Sequence, residues 1–352
     1  MATQSPPGQR RTITEIASLA GVSKPTVSRV LNGRPDVALA TRERVERVIT
    51  EQSYVRNGAA RSLGATRSLG AGRAGLIDLV AIEIDSLYIV QIIKGAAETL
   101  DAVGLSIVLT ATHDKEHRHR QWLARVIEHA ADGAILVLPN GHATYLEELR
   151  GRRVPFVVID SRADQTPDIP SVGATNFAGG LAATEYLLSL GHRHIAAIGG
   201  PLYRSAKARL AGYRTALEGA GLPVDPALIQ PGDFGVETGC VAAQALLDLP
   251  EPPSAIFAGN DLQAIGVYKA LHARGLRVPD DMSVVGFDDA PLAALVSPAL
   301  TTIRQPMYDM GALAASMLLR LVGGDTLTTT YVELATALVV RASCAPYRDI
   351  VT

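Results

Sequence analysis

The sequence has few cysteines, no long apolar run and no apolar segment close to its start. The two cysteines, Cys240 and Cys344, stand at no metal-ligand spacing and imply no disulfide framework. A membrane-spanning helix needs a run of about 18 apolar residues, and none is present. Because MATQSPPGQRR lacks an apolar stretch directly behind its basic residues, we expect no secretory signal and a protein that works in the cytoplasm.

Motifs of enzymes and metal sites are missing as well. No G-x-S-x-G turn presents a nucleophile, and no Lys-Ser/Thr pair follows the Gly-Gly-Pro turn at 199–201 as a phosphate loop requires. His113 and His117 have the i, i+4 spacing of a zinc pair and His119 is near, but no third ligand stands at a supporting position. We therefore expect a solvated helix start here, and no catalytic residue, cofactor or metal.

The composition is that of a folded, soluble chain with unevenly distributed charge. Apolar residues make up 47% of the 352 residues, enough for two or three folded units. Residues 1–75 hold 12 of the 33 Lys and Arg but 5 of the 35 Asp and Glu, a balance of +7, which leaves −9 for the remainder. A basic segment before an acidic body indicates a polyanionic partner, although a solubilising cationic tail has the same signature.

The apolar pattern divides the chain into four parts. Residues 1–10 are polar and Pro-rich, and we expect a disordered leader. Helical patterning covers 11–56, and a Gly-, Ala- and Arg-rich linker with RSLG twice covers 57–75. From residue 76, short apolar runs alternate with helical stretches such as 90–103 and 179–190, which indicates parallel sheets covered by helices on both faces. The strand candidates are LIDLVAI, LSIVLT, GAILVL, PFVVID, HIAAIGG, AIFAGND and SVVGFDD.

Polar residues collect where several of these strands end. Asp160 ends PFVVID, Asn260 and Asp261 end AIFAGND, and Asp288 and Asp289 end SVVGFDD. Ligands of open α/β sheets bind beyond the carboxyl ends of the strands. The pattern therefore predicts a ligand site built from these residues.

Residues 12–33, TITEIASLAGVSKPTVSRVLNG, predict two short helices joined by a tight turn. Gly21 suits the left-handed conformation that ends a helix, and Ser23 is a good N-cap for the next one. Pro25 falls in the first turn of that second helix, where a missing N–H costs nothing. The outward residues, Lys24, Pro25, Ser28 and Arg29, then suit the major groove of DNA; a helical hairpin with a solvated basic face is the alternative.

GVSKPTVSRVLNG, with the later stretches LGHRHIAAIGGP, ARLAGYRTAL, RVPDDMSVVGFDD and PALTTIRQP, resembles the LacI/GalR family of bacterial transcriptional regulators. The resemblance covers nearly the whole chain. It implies a small all-α helix-turn-helix head and a periplasmic-binding-protein-like α/β body of two doubly wound lobes. The lobes would be about 76–173 with 306–334, and about 176–303 with 338–352, crossed by the chain near 173–176, 303–306 and 335–338.

The resemblance also implies DNA contacts. Lys24, Pro25 and Arg29 stand where the family reads bases, and five residues stand where it touches the DNA backbone: Thr12, Ser23, Thr26, Ser28 and Asn32. In the hinge helix, Asn57, Ala60 and Leu63 would meet the operator, with Leu63 as the wedge in the minor groove. Arg56 replaces a usual proline, and Gly58 weakens the short hinge helix, which we expect to fold only on DNA. Leu63 keeps the family's distance from the recognition helix, so we prefer it to Leu69.

The effector contacts implied by the family suit a sugar. Asp160, Asn260 and Asp288 pair with hydroxyls, Arg209 bridges two oxygens, and Phe234 stacks on a ring face. Asp85 and Tyr88, after the first strand, are further candidates. Two apolar residues, Val137 and Leu138, stand at one usually polar wall position. For each of these polar residues the alternative is a polar group on a surface loop or a strand-end cap.

We thus expect a sequence-specific repressor of carbohydrate-utilisation genes, released from a palindromic operator when a mono- or oligosaccharide binds between the lobes. It would be a homodimer or a tetramer without a membrane partner, and the ligand as co-repressor stays open. A solute-binding protein of the same fold would need a signal peptide and no basic head. A sugar-modifying enzyme would need a base–nucleophile pair or a phosphate cradle.

Overall fold

The computed structural model describes residues 12–348 except 32–33, 35, 53–73, 85, 114–115, 129–130, 138–142 and 161–168. The chain forms two compact units, one that ends at Ala74 and one that begins at Gly75. Within the described residues, no helix is long and apolar enough to cross a membrane.

The head contains three helices: α1 (Ile13–Leu19), α2 (Lys24–Leu31) and α3 (Leu39–Glu51). A capping box starts α1, because the Thr12 hydroxyl accepts from the Glu15 amide at 3.4 Å and the Glu15 carboxylate accepts from the Thr12 amide at 2.7 Å. Gly21 follows with φ +62°, and the Ser23 hydroxyl accepts from the Thr26 amide at 3.3 Å. The predicted turn and cap are therefore both present.

A small apolar core holds these helices together. Its buried members are Ile16, Ala17 and Ala20 of the first helix and turn, Val27 and Val30 of α2, and Val45 of α3. Ile13, Val22 and Leu31 pack against them. The opposite face of α2, with Lys24, Pro25 and Arg29, is left to solvent.

The body contains two sheets. The first has the order β11-β5-β4-β3-β1-β2 and is parallel throughout. Its strands are β1 (Leu76–Ala81), β2 (Ser106–Ala111), β3 (Gly133–Val137), β4 (Phe156–Ile159), β5 (Ser171–Ala174) and β11 (Tyr331–Leu334). Helices α4 (Leu87–Asp101) and α11 (Met307–Gly323) cover one face, and α5 (Glu116–Glu128) and α6 (Ala143–Gly151) cover the other.

The second sheet has the order β12-β10-β9-β8-β6-β7 and is parallel except for β12. Its strands are β6 (Ile195–Ile198), β7 (Ile229–Gln230), β8 (Ala255–Ala258), β9 (Ser283–Asp288), β10 (Thr301–Arg304) and β12 (Ala337–Val339). Helices α7 (Asn176–Ser189) and α8 (Arg204–Gly219) pack on one face. Helices α9 (Val236–Leu247) and α10 (Asp261–Ala273) pack on the other.

The chain passes between the sheets after β5, after β10 and between β11 and β12. Two of these passages are joined, because the Thr336 amide donates to the Thr175 hydroxyl at 2.9 Å and the Thr175 amide donates to the Leu334 carbonyl at 3.0 Å. The predicted two-lobed α/β body with parallel sheets is confirmed. The seven apolar runs became β1, β2, β3, β4, β6, β8 and β9.

Candidate functional site

The outer face of α2 carries the residues predicted to read bases. Lys24, Pro25 and Arg29 are exposed, and the buried Val27 and Val30 fix the helix so that this face stays outward. Arg29 lies 3.7 Å from Asp36, and the two side chains are 57% and 60% exposed. Water screens such a pair strongly, so it stabilises the free head little and leaves Arg29 available for another partner.

Three of the predicted backbone contacts, Thr12, Ser23 and Thr26, lie at the starts of the first two helices. Thr12 and Ser23 are exposed N-caps, the Ser23 and Thr26 hydroxyl oxygens are 2.9 Å apart, and Ser28 is half-buried. A helix start offers amide N–H groups and a partial positive charge to a phosphate. Asn32, Asn57, Ala60 and Leu63 lie outside the described residues.

The capping role of Thr12 was missed from the sequence. We assigned Thr12 only as a DNA contact, whereas its hydroxyl also starts α1 together with Glu15. The signal is present as T-x-x-E, the first four letters of TITEIASL. Thr12 thus combines a capping role with an exposed position, and its DNA contact stays a prediction.

Four of the predicted effector residues come together between the lobes. Tyr88 on α4 and Asp160 after β4 belong to the first lobe, whereas Arg209 on α8 and Asp288 at the end of β9 belong to the second. The four are close enough that the charges of Asp160, Arg209 and Asp288 all shift the pKa of Tyr88. Asp288 Oδ1 lies 3.5 Å from Arg209 Nη1.

Arg209 is held rigidly in this cluster. Its Nε donates to Asn176 Oδ1 at 2.9 Å, its Nη1 donates to the Gly259 carbonyl at 2.6 Å, and its guanidinium carbon lies 3.8 Å from the Phe287 ring centroid. Helix α7 approaches α8 so closely here that a Cβ at Gly180 would overlap the Arg209 backbone, and glycine permits this contact. The close helix packing and these bonds aim the guanidinium at Asp288.

The acidic groups of the cluster are costly to ionise. Burial, helped by the charge of Asp288, raises the pKa of Asp160 to about 6, against the opposing charge of Arg209 and the nearby hydroxyls of Ser205 and Tyr88. Burial also raises the pKa of Asp288 against the influence of Arg209 and Gln305. The backbones of Asp160 and Asp288 have φ of +63° and +110°, conformations that are uncommon for non-glycine residues and that recur at binding sites.

Two buried polar atoms of the cluster lack an ordinary hydrogen bond within the described residues. The Tyr88 hydroxyl faces Asp160 without hydrogen-bond geometry, and burial raises its pKa well above the usual value. Gln305 is 3% exposed and donates through Nε2 to Asp288 Oδ1 at 2.6 Å, but its Oε1 has no partner. Buried polar atoms are almost always paired, so these two indicate a polar ligand. Gln305 was missed from the sequence, although it stands in the TTIRQP stretch.

Phe234 and Asn260 are linked to each other. Asn260 Nδ2 donates to the Phe234 carbonyl at 3.0 Å, and its Oδ1 accepts from the Gln263 amide at 2.9 Å, so Asn260 caps α10. Phe234 has φ +72°, and its ring centroid lies 5.3 Å from the Arg209 guanidinium carbon. The amide of Asn260 thus orients Phe234, and a direct sugar contact from Asn260 stays a prediction. Val137 is buried at the end of β3, and Asp85 and Leu138 lie outside the described residues.

The two other strand-end acids are engaged by the protein itself. Asp261 accepts from the Ala290 amide at 2.7 Å and from the Thr302 hydroxyl at 2.5 Å, and burial followed by the charge of Asp288 raises its pKa to about 8. Asp289 pairs with Arg304 at 2.7 Å and with Arg341 at 2.6 Å. Both acids tie β9 to its neighbours, so the carboxylates that face the cleft are Asp160 and Asp288, the latter through the oxygen that Gln305 and Arg209 do not contact.

His113 is exposed with φ +51°, three residues before α5 begins. Across the described part of the chain, no group of three or more His, Cys, Asp or Glu side chains is arranged to hold a metal ion.

Comparison with known proteins matches both units. Residues 12–57 match the model of bacterial regulatory proteins of the lacI family, and residues 184–344 match a periplasmic binding protein-like domain. The catabolite control protein A of Priestia megaterium is 32% identical, over 94% of this chain and 98% of that protein. The ribose operon repressor of Escherichia coli (strain K12) is 35% identical, over 94% of this chain and 99% of that protein.

Solved structures agree. A lac repressor dimer bound to operator and an anti-inducer superposes with a TM-score of 0.83 at 30% identity, covering 96% of this chain and all of that one. The transcriptional regulator CelR in complex with cellobiose gives a TM-score of 0.72 at 34% identity, covering 95% and 100%. These relatives are regulators of transcription and not enzymes, as the missing catalytic motifs predicted. The chain belongs to the lacI family of bacterial regulatory proteins and is a DNA-binding transcriptional repressor.

Proposed function

We propose that the protein represses carbohydrate-utilisation genes as a homodimer and leaves a palindromic operator when a sugar binds between its lobes. The lac repressor relative is a dimer on its operator, and similar regulators have been solved with cellobiose and with ribose. Such a repressor works on chromosomal DNA, so we place it in the cytoplasm. The head residues named above would read the operator, and the cluster around Arg209 would read the sugar.

The observation that supports a sugar as the ligand is the set of polar atoms that the cleft offers to it. Asp160 and Asp288 present carboxylate oxygens, Arg209 presents fixed donors, and Gln305 Oε1 and the Tyr88 hydroxyl lack ordinary hydrogen bonds to any residue that the structure describes. Vicinal hydroxyls of a sugar both donate and accept, so one ring satisfies several of these atoms at once. The Phe234 ring beside Arg209 offers an apolar face for the ring carbons.

The same geometry supports the proposed route from the sugar to the DNA. A sugar that contacts Tyr88 and Asp160 on one lobe and Arg209 and Asp288 on the other favours the closed arrangement of the lobes. Movement would occur at the three passages between the sheets, two of which are joined through Thr175 and Thr336. Regulators of this kind typically couple their two sites by about 1–3 kcal/mol, which is about 5–150-fold in affinity.

The test is a titration of the protein with labelled operator DNA, with and without each member of a sugar panel. One sugar should lower operator affinity by a factor within that range. The cleft variant Asp288→Asn should bind operator as the unsubstituted protein does and should not respond. A sugar that tightens operator binding would make the ligand a co-repressor. If no sugar of the panel binds, the proposal that the effector is a sugar is refuted.

A solute-binding protein of the same body fold is the other candidate class. Such a protein has no use for a helix-turn-helix with an exposed Lys24 and Arg29. Loss of DNA binding at rising salt, with a steep logarithmic slope, is the behaviour expected of the repressor. Salt-independent or absent binding would favour the solute-binding protein.

A further inference from the structure

A second cavity lies beside the Arg209 cluster, and no role has been given to it above. Its volume is about 580 Å³, and it is formed where the passage after β5 meets β11 and the first turns of α7 and α8. We call it the lateral cavity. Asp160, Phe177, Lys207, Tyr331 and Glu333 line it.

The lateral cavity shares residues with the cluster. Asp160 lines the cavity, while its pKa responds to Arg209 and Asp288, so the carboxyl group stands at the junction of the two spaces. Asn176 also lines the cavity and accepts from Arg209 Nε at 2.9 Å. A ligand that touches Arg209 and Asp288 therefore has a continuous polar path into the lateral cavity.

The chemistry of the lateral cavity suits a neutral polyhydroxylated unit. Asp160 and Glu333 supply acceptors, and Lys207 supplies a donor. The first turn of α7 adds amide donors, because the hydroxyl of its N-cap Thr175 is bonded to Thr336 and makes no cap. Tyr331 and the 43%-exposed Phe177 add aromatic surface of the kind that packs on sugar rings.

The charges of the cavity are balanced. Asp160 and Glu333 oppose Lys207 and Arg204, so a phosphate or a carboxylate would meet two acids as well as two bases. An ionised ligand gains little from such a wall, whereas hydroxyls pair with both kinds of group. The volume lies within the range of about 300–1,000 Å³ that small-molecule sites occupy.

We infer that the effector is a neutral oligosaccharide of at least two sugar units. One unit lies against Arg209 and Asp288, the next lies in the lateral cavity, and Asp160 contacts both at the junction. This inference rests on the proposed function, because it assigns a length to the sugar that the cleft binds.

The experiment is calorimetry of the full-length protein with a panel of D-ribose, D-glucose, D-galactose, cellobiose, maltose, lactose, raffinose and glucose 6-phosphate. We expect a neutral di- or trisaccharide to bind about tenfold or more tighter than any monosaccharide in it, since a further charge-assisted hydrogen bond is worth about that factor.

Two variants of the lateral cavity sharpen the test. Ala178→Leu fills it from the exposed first turn of α7, and Lys207→Ala removes a donor from an exposed position of α8. Each should weaken the longer sugar about tenfold and leave its monosaccharide unchanged. The matched controls are Ala211→Leu and Arg214→Ala, both on exposed positions of α8 and neither among the cavity residues. Unchanged operator binding confirms that each variant is folded.

The outcomes separate the two proposals. A monosaccharide that binds as tightly as every longer sugar, or a longer sugar unaffected by Ala178→Leu, overturns the inference but leaves a sugar-responsive repressor. Tighter binding of glucose 6-phosphate than of glucose overturns the inference that the effector is neutral. If no sugar binds while operator binding is intact, the proposed effector falls and the inference falls with it.

Discussion

The head and the body each place an arginine near an aspartate, in opposite surroundings. Arg29 and Asp36 are 3.7 Å apart and more than half exposed, whereas Arg209 and Asp288 are 3.5 Å apart and 5% and 15% exposed. At a surface the pair is weak and its partners exchange easily. Between the lobes it is expensive to break, because either charge alone would stay buried.

This difference matches the two tasks that we propose for the arginines. A DNA-reading side chain must release its own partner at low cost and accept a base edge or a phosphate. A sugar-reading side chain must be in place beforehand, so that the ligand does not have to order it. From this difference in burial we expect the following effects of substitutions, from the largest to the smallest.

Removal of Arg209 should have the largest effect on stability. Arg209→Ala leaves Asp288 buried without its cation, and breaking a buried pair in this way costs about 3–5 kcal/mol. Urea unfolding followed by circular dichroism measures the loss. Arg214→Ala, on the exposed side of the same helix, should cost almost nothing. Equal losses of unfolding free energy in the two variants would mean that burial does not make the Arg209–Asp288 pair important for stability.

Asp160 should make stability depend on pH. Its pKa rises from 3.8 to about 6 on folding, mainly through burial, so the folded protein binds a proton there more readily than the unfolded chain. Stability from this group is therefore complete below about pH 4 and is lost as pH rises through about 6, by about 2–3 kcal/mol.

Unfolding at pH 4.5 and pH 7.5 tests this in wild type and Asp160→Asn. The variant should lose that part of the pH dependence, while the exposed control Asp101→Asn keeps it. Because Asp261 and Asp288 shift in the same direction, only the difference between variant and wild type is diagnostic. A variant with the wild-type slope would place Asp160 in a more solvated site than its burial indicates.

Arg29 should matter for DNA and not for folding. Arg29→Ala should weaken operator binding by about 1–3 kcal/mol through a lost guanine contact and should weaken random DNA much less. Arg44→Ala on an exposed position of α3 is the control for loss of charge alone. Anisotropy titrations at one salt concentration compare the variants. Equal losses on operator and random DNA would reduce Arg29 to a phosphate contact.

The smallest effect should come from the cap of α1. Thr12→Ala removes the hydroxyl that accepts from the Glu15 amide, and lost caps cost about 0.5–2 kcal/mol. Hydrogen exchange of the α1 amides in the full-length protein should become faster. Thr14 is exposed and lies two residues further along, within α1, so Thr14→Ala should leave exchange near wild type. No difference between the two threonines would show that the capping box does not stabilise the head.

Much of the fold was readable because local signals and the final structure agreed. Gly21, Ser23 and the inward Val27 and Val30 specify the head through turn geometry, capping and helical spacing alone. Six of the seven long apolar runs gave central strands, since a strand buried on both faces is apolar along most of its length, and the seventh gave the edge strand β2. The strands β5, β7, β10, β11 and β12 have two to four residues each and were not among the predicted runs. They lie at sheet edges or beside the passages between lobes, where neighbours outweigh local preference.

The sequence by itself determined the kind of residue at each strand end, and so the acids Asp160, Asp261, Asp288 and Asp289 were all visible. Only the tertiary structure decided which of them stay open. Asp261 and Asp289 are occupied by Thr302 and by two arginines that arrive from distant parts of the chain, whereas Asp160 beside Tyr88 and Asp288 beside Arg209 meet each other across the cleft. A carboxylate's role depends on the partners that folding brings within about 3 Å, and those partners are not neighbours in the sequence.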